Sequence, residues 1–269
     1  MTSLLPLDGT SLRYSVSTPE DASADAVPVL LLHPWFGCRA FWDPVTPLLG
    51  APSMAVDWYS LGDGDWADWA SPEGLARAAV ALLDELGHGR VDVVGNSVGG
   101  IVAQMVAARH PSRVRRLVLI GTGASLAGPP TPFGALVSAW VGGTTDRVPL
   151  AAALADALVA TPAPEPARSA YVRAVLDADP DFLSAVLDAA RGLDLRPELP
   201  AITAPTLVVR GEHDSARTRE HVADLLAGIP DARGVEMPGC GHSPMIEQPQ
   251  AFADLVRAHL ARRSRRVPR

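Results

Sequence analysis

The run Val93-Val94-Gly95-Asn96-Ser97-Val98-Gly99-Gly100 constrains this chain more than any other. An apolar strand ends at Gly95, and a helix of small and branched residues begins after Ser97, so strand and helix must meet in a very tight turn. A G-x-S-x-G corner in that setting is a nucleophile elbow. Its serine takes a strained backbone conformation with φ above zero, and its neighbours must be small for strand and helix to pass closely. The hydroxyl is then presented at a helix N-terminus, where free N–H groups and the helix dipole favour a developing oxyanion. The alternative is a serine in an ordinary glycine-rich strand-to-helix turn.

A strained serine is useful only beside a base and a carboxylate that orients the base. On an elbow of this kind the chain order is serine, acid, histidine. The strand at 206–209 runs into Arg210-Gly211-Glu212-His213-Asp214, and the last strand runs into Gly239-Cys240-Gly241-His242-Ser243-Pro244. Ser97, Asp214 and His242 therefore form the expected triad, with Glu212 as the alternative acid and His213 as the alternative base. His88 and His110 fall at helix ends, and His221 and His259 within helices. Cys240 is next but one to the histidine, yet proximity in sequence does not make a thiol nucleophilic. Leu32-His33-Pro34-Trp35-Phe36-Gly37 follows the first long apolar strand, where a second oxyanion N–H is expected. The backbone N–H groups of Val98 and Trp35 are thus the expected oxyanion hole, and His33 is read as a structural hydrogen-bonding residue.

The remaining pattern is alternating. A hairpin around Asp8-Gly9 comes first, then apolar runs at 29–32, 54–56, 91–94, 117–120 and 206–209, separated by helical patterns at 73–86, after Ser97 and at 219–227. A short strand at 234–237 and a helix at 250–260 close the chain. This predicts an α/β fold, a mostly parallel central sheet with helices on both faces. Between 124 and 200 the rhythm breaks: no strand-like run occurs, and helical patches at 133–141, 150–160, 167–177 and 181–191 are joined by Pro- and Gly-rich links. The expected organisation is a core of residues 1–123 and 201–269 with a helical cap at 124–200; a plain helical continuation of the core is the alternative.

Composition narrows the chemistry. The 269 residues suffice for one large domain, and 48% apolar content argues against disorder. All 23 basic residues are arginine, which excludes a Schiff-base lysine and a phosphate-loop lysine. A net charge of −7 disfavours nucleic acid as a partner. No apolar run is long enough to span a membrane, and the arginine-rich end at 262–266 reads as a solvated tail. Two cysteines, Cys38 and Cys240, predict free thiols, and the N-terminal residues do not read as a secretory leader, so a cytoplasmic protein is expected. No Cys/His cluster has metal-ligand spacing, and no cofactor is expected. Oligomeric state is not legible.

These segments resemble the α/β-hydrolase superfamily over nearly the whole chain: the elbow, Arg210 to Asp214, and Gly239-Cys240-Gly241-His242-Ser243-Pro244-Met245-Ile246-Glu247-Gln248-Pro249. Two departures stand out. Pro34 replaces the usual glycine after His33, and Asp57-Trp58-Tyr59-Ser60-Leu61-Gly62-Asp63-Gly64-Asp65 is two residues longer than the usual Asp-x-Arg-Gly-x-Gly stretch. The resemblance implies a serine hydrolase, expected here to cleave an uncharged carboxylic ester or lactone of an apolar small molecule. Trp35, Phe36, Trp140 and Tyr171 are the expected substrate contacts, and the cap is expected to select substrate while adding little to the chemistry. The Gly-Asn-Ser elbow also resembles C–C bond hydrolases of dienoic ring-cleavage products, which usually carry tryptophan where this chain has Ser243. A ligand receptor on the same fold is the third alternative.

Overall fold

A computed structural model describes residues 2–262 except 21, 24, 127–130, 144, 145, 164 and 166; most of the arginine-rich tail lies outside the described residues. The hairpin is β1 (Thr2–Leu7) and β2 (Thr10–Ser17), turned at Gly9 with φ 73°. The apolar runs become β3 (Val29–Leu32), β4 (Ser53–Asp57), β5 (Val91–Asn96), β6 (Val114–Ile120) and β7 (Thr206–Gly211), with β8 (Ala232–Met237) at the far edge. They form one sheet in the order β1-β2-β4-β3-β5-β6-β7-β8. β1–β2 and β2–β4 pair antiparallel and every later pair is parallel. Strands β3 and β5 are buried along their whole length, as strands covered on both faces must be.

Helix α1 (Pro72–Glu85) starts where Ser71 accepts the Gly74 N–H at 3.0 Å and packs beside α2 (Val98–Arg109). The residues Val98 to Ala107 of α2 are all buried, and the helix follows β5 without a linker beyond Ser97. After β6 the chain leaves the sheet through α3 (Pro132–Gly142), α4 (Arg147–Ala157), α5 (Ala167–Asp177) and α6 (Pro180–Arg191) before returning as β7. Helix α7 (Arg219–Gly228), the short α8 (Pro244–Glu247) and α9 (Pro249–Leu260) complete the wrapping. The observed α4 is shifted three residues toward the N-terminus from its sequence expectation. Asp146 caps it by accepting the Val148 N–H at 3.1 Å, which sets where the helix begins.

Because β3 and β5 to β8 run parallel, their carboxyl ends share one edge. The loops carrying Trp35, Ser97, Gly121, Asp214 and His242 all leave the sheet there, the edge where open α/β sheets gather their sites.

Candidate active site

Ser97 has φ 54° and ψ −118°, and is the one non-glycine residue with positive φ among the described residues. The close crossing shows why its neighbours are glycines. A Cβ on Gly95 would run into the carbonyl of Gly99, and one on Gly99 into the carbonyls of Leu32 and His33. The start of α2 is thereby pressed against the end of β3, next to the loop that carries Trp35. The first N–H groups of a helix have no acceptor within it, and Val98 is the first residue of α2. The Ser97 carbonyl is held by the Thr122 hydroxyl, which donates at 2.8 Å.

Asp214 and His242 are brought together as expected. Nδ1 of His242 lies 2.9 and 3.0 Å from the two carboxylate oxygens, and both side chains are fully buried. An ionised carboxylate only accepts, so Nδ1 carries the proton and Nε2 keeps the lone pair. Burial pushes Asp214 upward. Electrostatic attraction to His242 and its hydrogen bond, with the N–H groups of Arg217 and Ala216, outweigh it and hold the carboxyl below its ordinary range. Those N–H groups donate to Oδ1 at 3.0 and 2.8 Å. Nε2 of His242 is buried with no hydrogen-bond partner, so the bond to Ser97 is not formed in this arrangement; such bonds often tighten only with substrate.

Several residues that sequence reasoning passed over build this geometry. Asn96, inside the elbow motif, donates from its amide to the carbonyls of Ile120 at 3.0 Å and His242 at 3.2 Å, fastening the histidine loop to the serine strand. Gly121, with φ 49°, sits under the pair: a Cβ there would lie 2.8 Å from Nδ1 of His242 and 3.0 Å from Oδ2 of Asp214. Arg210 donates to the carbonyls of Arg217 (3.0 Å), Glu212 (3.2 Å) and Asp214 (3.2 Å) and pairs with Glu236 at 2.8 Å, stapling the acid loop. Only Gly121, as a glycine directly after an apolar strand, carried a local signal.

The competing candidates find other work. Glu212 accepts the Gly239 N–H at 3.0 Å, while His213 is exposed. His33 is fully buried; burial lowers its pKa, against the raising influence of Asp57 and Pro34. As a neutral ring it donates from Nδ1 to the Pro34 carbonyl at 2.7 Å and accepts the Trp58 N–H on Nε2 at 3.0 Å. Tyr59 completes the loop, donating to the Trp35 carbonyl at 2.6 Å and accepting from Gly37 N–H at 2.9 Å. The extended stretch after β4 therefore supplies the partners that shape the proline-containing loop. Burial pushes the Cys240 thiol up to about 11, which leaves it unsuited to nucleophilic work.

Of the four expected substrate contacts, three form a chain of rings: Trp35 to Phe36 at 5.9 Å, and Phe36 to Trp140 edge-on at 5.8 Å. Tyr171 packs instead on Phe41 at 4.1 Å. Hydrogen bonds tie the inserted helices to the loops that carry Trp35 and His242. The Trp35 indole donates to the Leu183 carbonyl of α6 at 2.8 Å. Glu247 accepts the Gly241 N–H at 2.7 Å on one oxygen and the Ala160 and Thr161 N–H groups at 2.6 and 3.3 Å on the other. Among the described residues no group of three or more His, Cys, Asp or Glu is placed to hold a metal ion, and no helix is long and apolar enough to cross a membrane.

Residues 29–255 match the sequence model described as the Alpha/beta hydrolase family. This chain belongs to that family. It is similar to a pimeloyl-[acyl-carrier protein] methyl ester esterase of Aromatoleum aromaticum, with 32% identity over 242 residues, covering 85% of this chain and 96% of that one. It is also similar to a 2-hydroxymuconate semialdehyde hydrolase of Pseudomonas putida, 33% identical over 239 residues, covering 84% and 81%. Among solved structures, a hydrolase from Pseudomonas aeruginosa superposes with a TM-score of 0.81 at 27% identity, covering 97% of this chain and 98% of that one. The family membership makes the α/β-hydrolase expectation from the sequence a finding, and the chain a hydrolase.

Proposed function

We propose that this α/β hydrolase cleaves a carboxylic ester through an acyl-enzyme on Ser97. The observation that carries the reading is the buried Asp214–His242 pair, held beside the strained elbow by the Asn96 amide. In this mechanism His242 takes the Ser97 proton through Nε2 while the serine oxygen attacks the carbonyl carbon. Asp214 keeps the proton on Nδ1 and stabilises the imidazolium. The Val98 and Trp35 N–H groups receive the developing O⁻. His242 then returns its proton to the departing alcohol, and water activated by the same nitrogen releases the acid. Apart from the ester and water, each step uses groups of this chain.

Residues 124–200 act as the cap, with 1–123 and 201–269 as the core, and the ring chain Trp35-Phe36-Trp140 offers an apolar wall for the acyl group; Tyr171 supports the cap from its seat on Phe41. The anchors at Leu183 and Glu247 make this cap part of the catalytic frame: they fix the loops that carry the Trp35 N–H and His242. Ester cleavage is favoured by the similarity to a pimeloyl-[acyl-carrier protein] methyl ester esterase. The similarity to a 2-hydroxymuconate semialdehyde hydrolase favours a second reading, C–C cleavage of a ring-cleavage-type dienoate, although Ser243 stands where such enzymes usually carry tryptophan.

A panel of p-nitrophenyl esters of increasing acyl length, a lactone and a dienoate tests the choice. Rapid mixing with a short p-nitrophenyl ester is expected to release a burst of nitrophenol equal to the enzyme concentration, followed by slower turnover. Turnover of the dienoate alone would transfer the assignment to C–C cleavage, and binding without turnover of any member would make the chain a receptor.

A further inference from the structure

A cavity of about 470 Å³ lies between α3, α6 and the loop that leads from Asp214 into α7. Phe133, Val137 and Leu187 give it apolar walls, and Arg191 and Arg217 line it as well. Phe133 is the wall it shares with the catalytic histidine, since its ring lies 6.1 Å from that of His242 at a tilt of 31°.

Arg217 is the group here that needs an explanation. Its backbone N–H serves Asp214, and its Nη1 donates to the Ala216 carbonyl at 2.7 Å. Its Nε is buried with no hydrogen-bond partner, and among the described residues no carboxylate forms an ion pair with it. Asp214, the negative charge that acts on it, is already engaged by His242 and two N–H groups. Burial of part of the side chain lowers the Arg217 pKa, but arginine stays charged. The residue as a whole is half-buried, but a buried donor left idle on a cation is costly, and an anion brought to it by a ligand removes that cost. Arg191 reaches the same cavity from α6; its partner Asp188, at 3.2 Å on the same helix, forms an exposed pair of little strength.

The side of the site follows from the chemistry. In a serine–histidine mechanism the imidazole gives its proton to the leaving alcohol, so the alcohol portion of the ester lies on the histidine side. We propose that this cavity is an anion subsite that takes a carboxylate or phosphate carried on the alcohol portion of the substrate, with Arg217 as its main ligand, Arg191 as its second, and Phe133, Val137 and Leu187 covering the carbon skeleton. The subsite rests on the acyl-enzyme reading above. It replaces the uncharged ester expected from the sequence by one that is apolar in the acyl group and charged on the other side.

The test compares 3-acetoxybenzoate and 3-acetoxyphenyl phosphate with the neutral methyl 3-acetoxybenzoate, each rate divided by that of spontaneous hydrolysis. The wild-type protein is expected to prefer at least one charged ester by about tenfold or more in kcat/KM, mainly through KM, with the preference shrinking as salt is added. Which charged ester gains identifies the anion. The charged-to-neutral ratio is expected to collapse toward one in Arg217→Met, whatever the absolute rates, and to fall in Arg191→Gln, which carries the test if the first variant does not fold. A wild-type ratio at or below one, or a ratio that survives in both variants, overturns the subsite and leaves ester hydrolysis standing. No turnover of any of the three esters removes both.

Discussion

Replacing Ser97 by alanine is expected to lower kcat/KM by about 10⁴-fold or more for every ester the protein turns over, with its thermal midpoint unchanged. The two halves of that expectation have separate causes. Alanine keeps the Cβ, so the strain at φ 54° is neither relieved nor increased, and the tight crossing of β5 and α2 is preserved. What disappears is the only oxygen of residue 97 that can form the acyl bond. The residual rate then reflects binding and the oxyanion N–H groups alone. Steady-state kinetics with a thermal melt of both proteins checks it; a variant that keeps a tenth of the activity would mean that some other group attacks.

The second large effect is expected at Asp214. Asp214→Asn should cost on the order of 10⁴-fold in kcat, because an amide N–H turned toward Nδ1 of His242 forces the proton onto Nε2, where the lone pair is needed. The carboxylate also accepts the Ala216 and Arg217 N–H groups, so the asparagine oxygen is drawn to them and the amide nitrogen is left facing the imidazole. Glu212→Gln should change kcat by less than about threefold, since that carboxylate is turned away to the Gly239 N–H and is partly exposed. Parallel kinetics on the two variants decides the matter. If Glu212→Gln were the more damaging, the role of the acid would move two residues upstream.

The expectations drawn from sequence succeeded where a local pattern has a single physical cause. Strands β3, β5, β6 and β7 are legible because strands covered on both faces must be continuously apolar, and the elbow is legible because no other arrangement needs small residues on both sides of a serine between strand and helix. The boundaries failed where local preference was weak. Asn96 belongs to β5 although its polarity suggested a turn, since its backbone pairs with Ile120 and its side chain finds two carbonyls. The frame around Ser97, Asp214 and His242 was hidden for a different reason. Asn96 and His242 are 146 residues apart in sequence, and Trp35 and Leu183 are 148 apart. Such contacts exist only once the sheet has brought the loop ends to one edge. The same holds for Glu247, which lies in the histidine segment but has no legible task until its three N–H donors are seen. Arg217 had no signal of its own, because an idle donor can be recognised only after every neighbour has been placed.

Trapping the acyl-enzyme tests the central claim most directly. The protein is mixed with a short p-nitrophenyl ester, quenched in acid during the burst, digested and mapped by mass spectrometry. The account predicts one acylated peptide, carrying the added acyl mass on Ser97, and none in Ser97→Ala. An acyl group on Cys240, on His242 or on any other residue, or a burst with no adduct at Ser97, would contradict it.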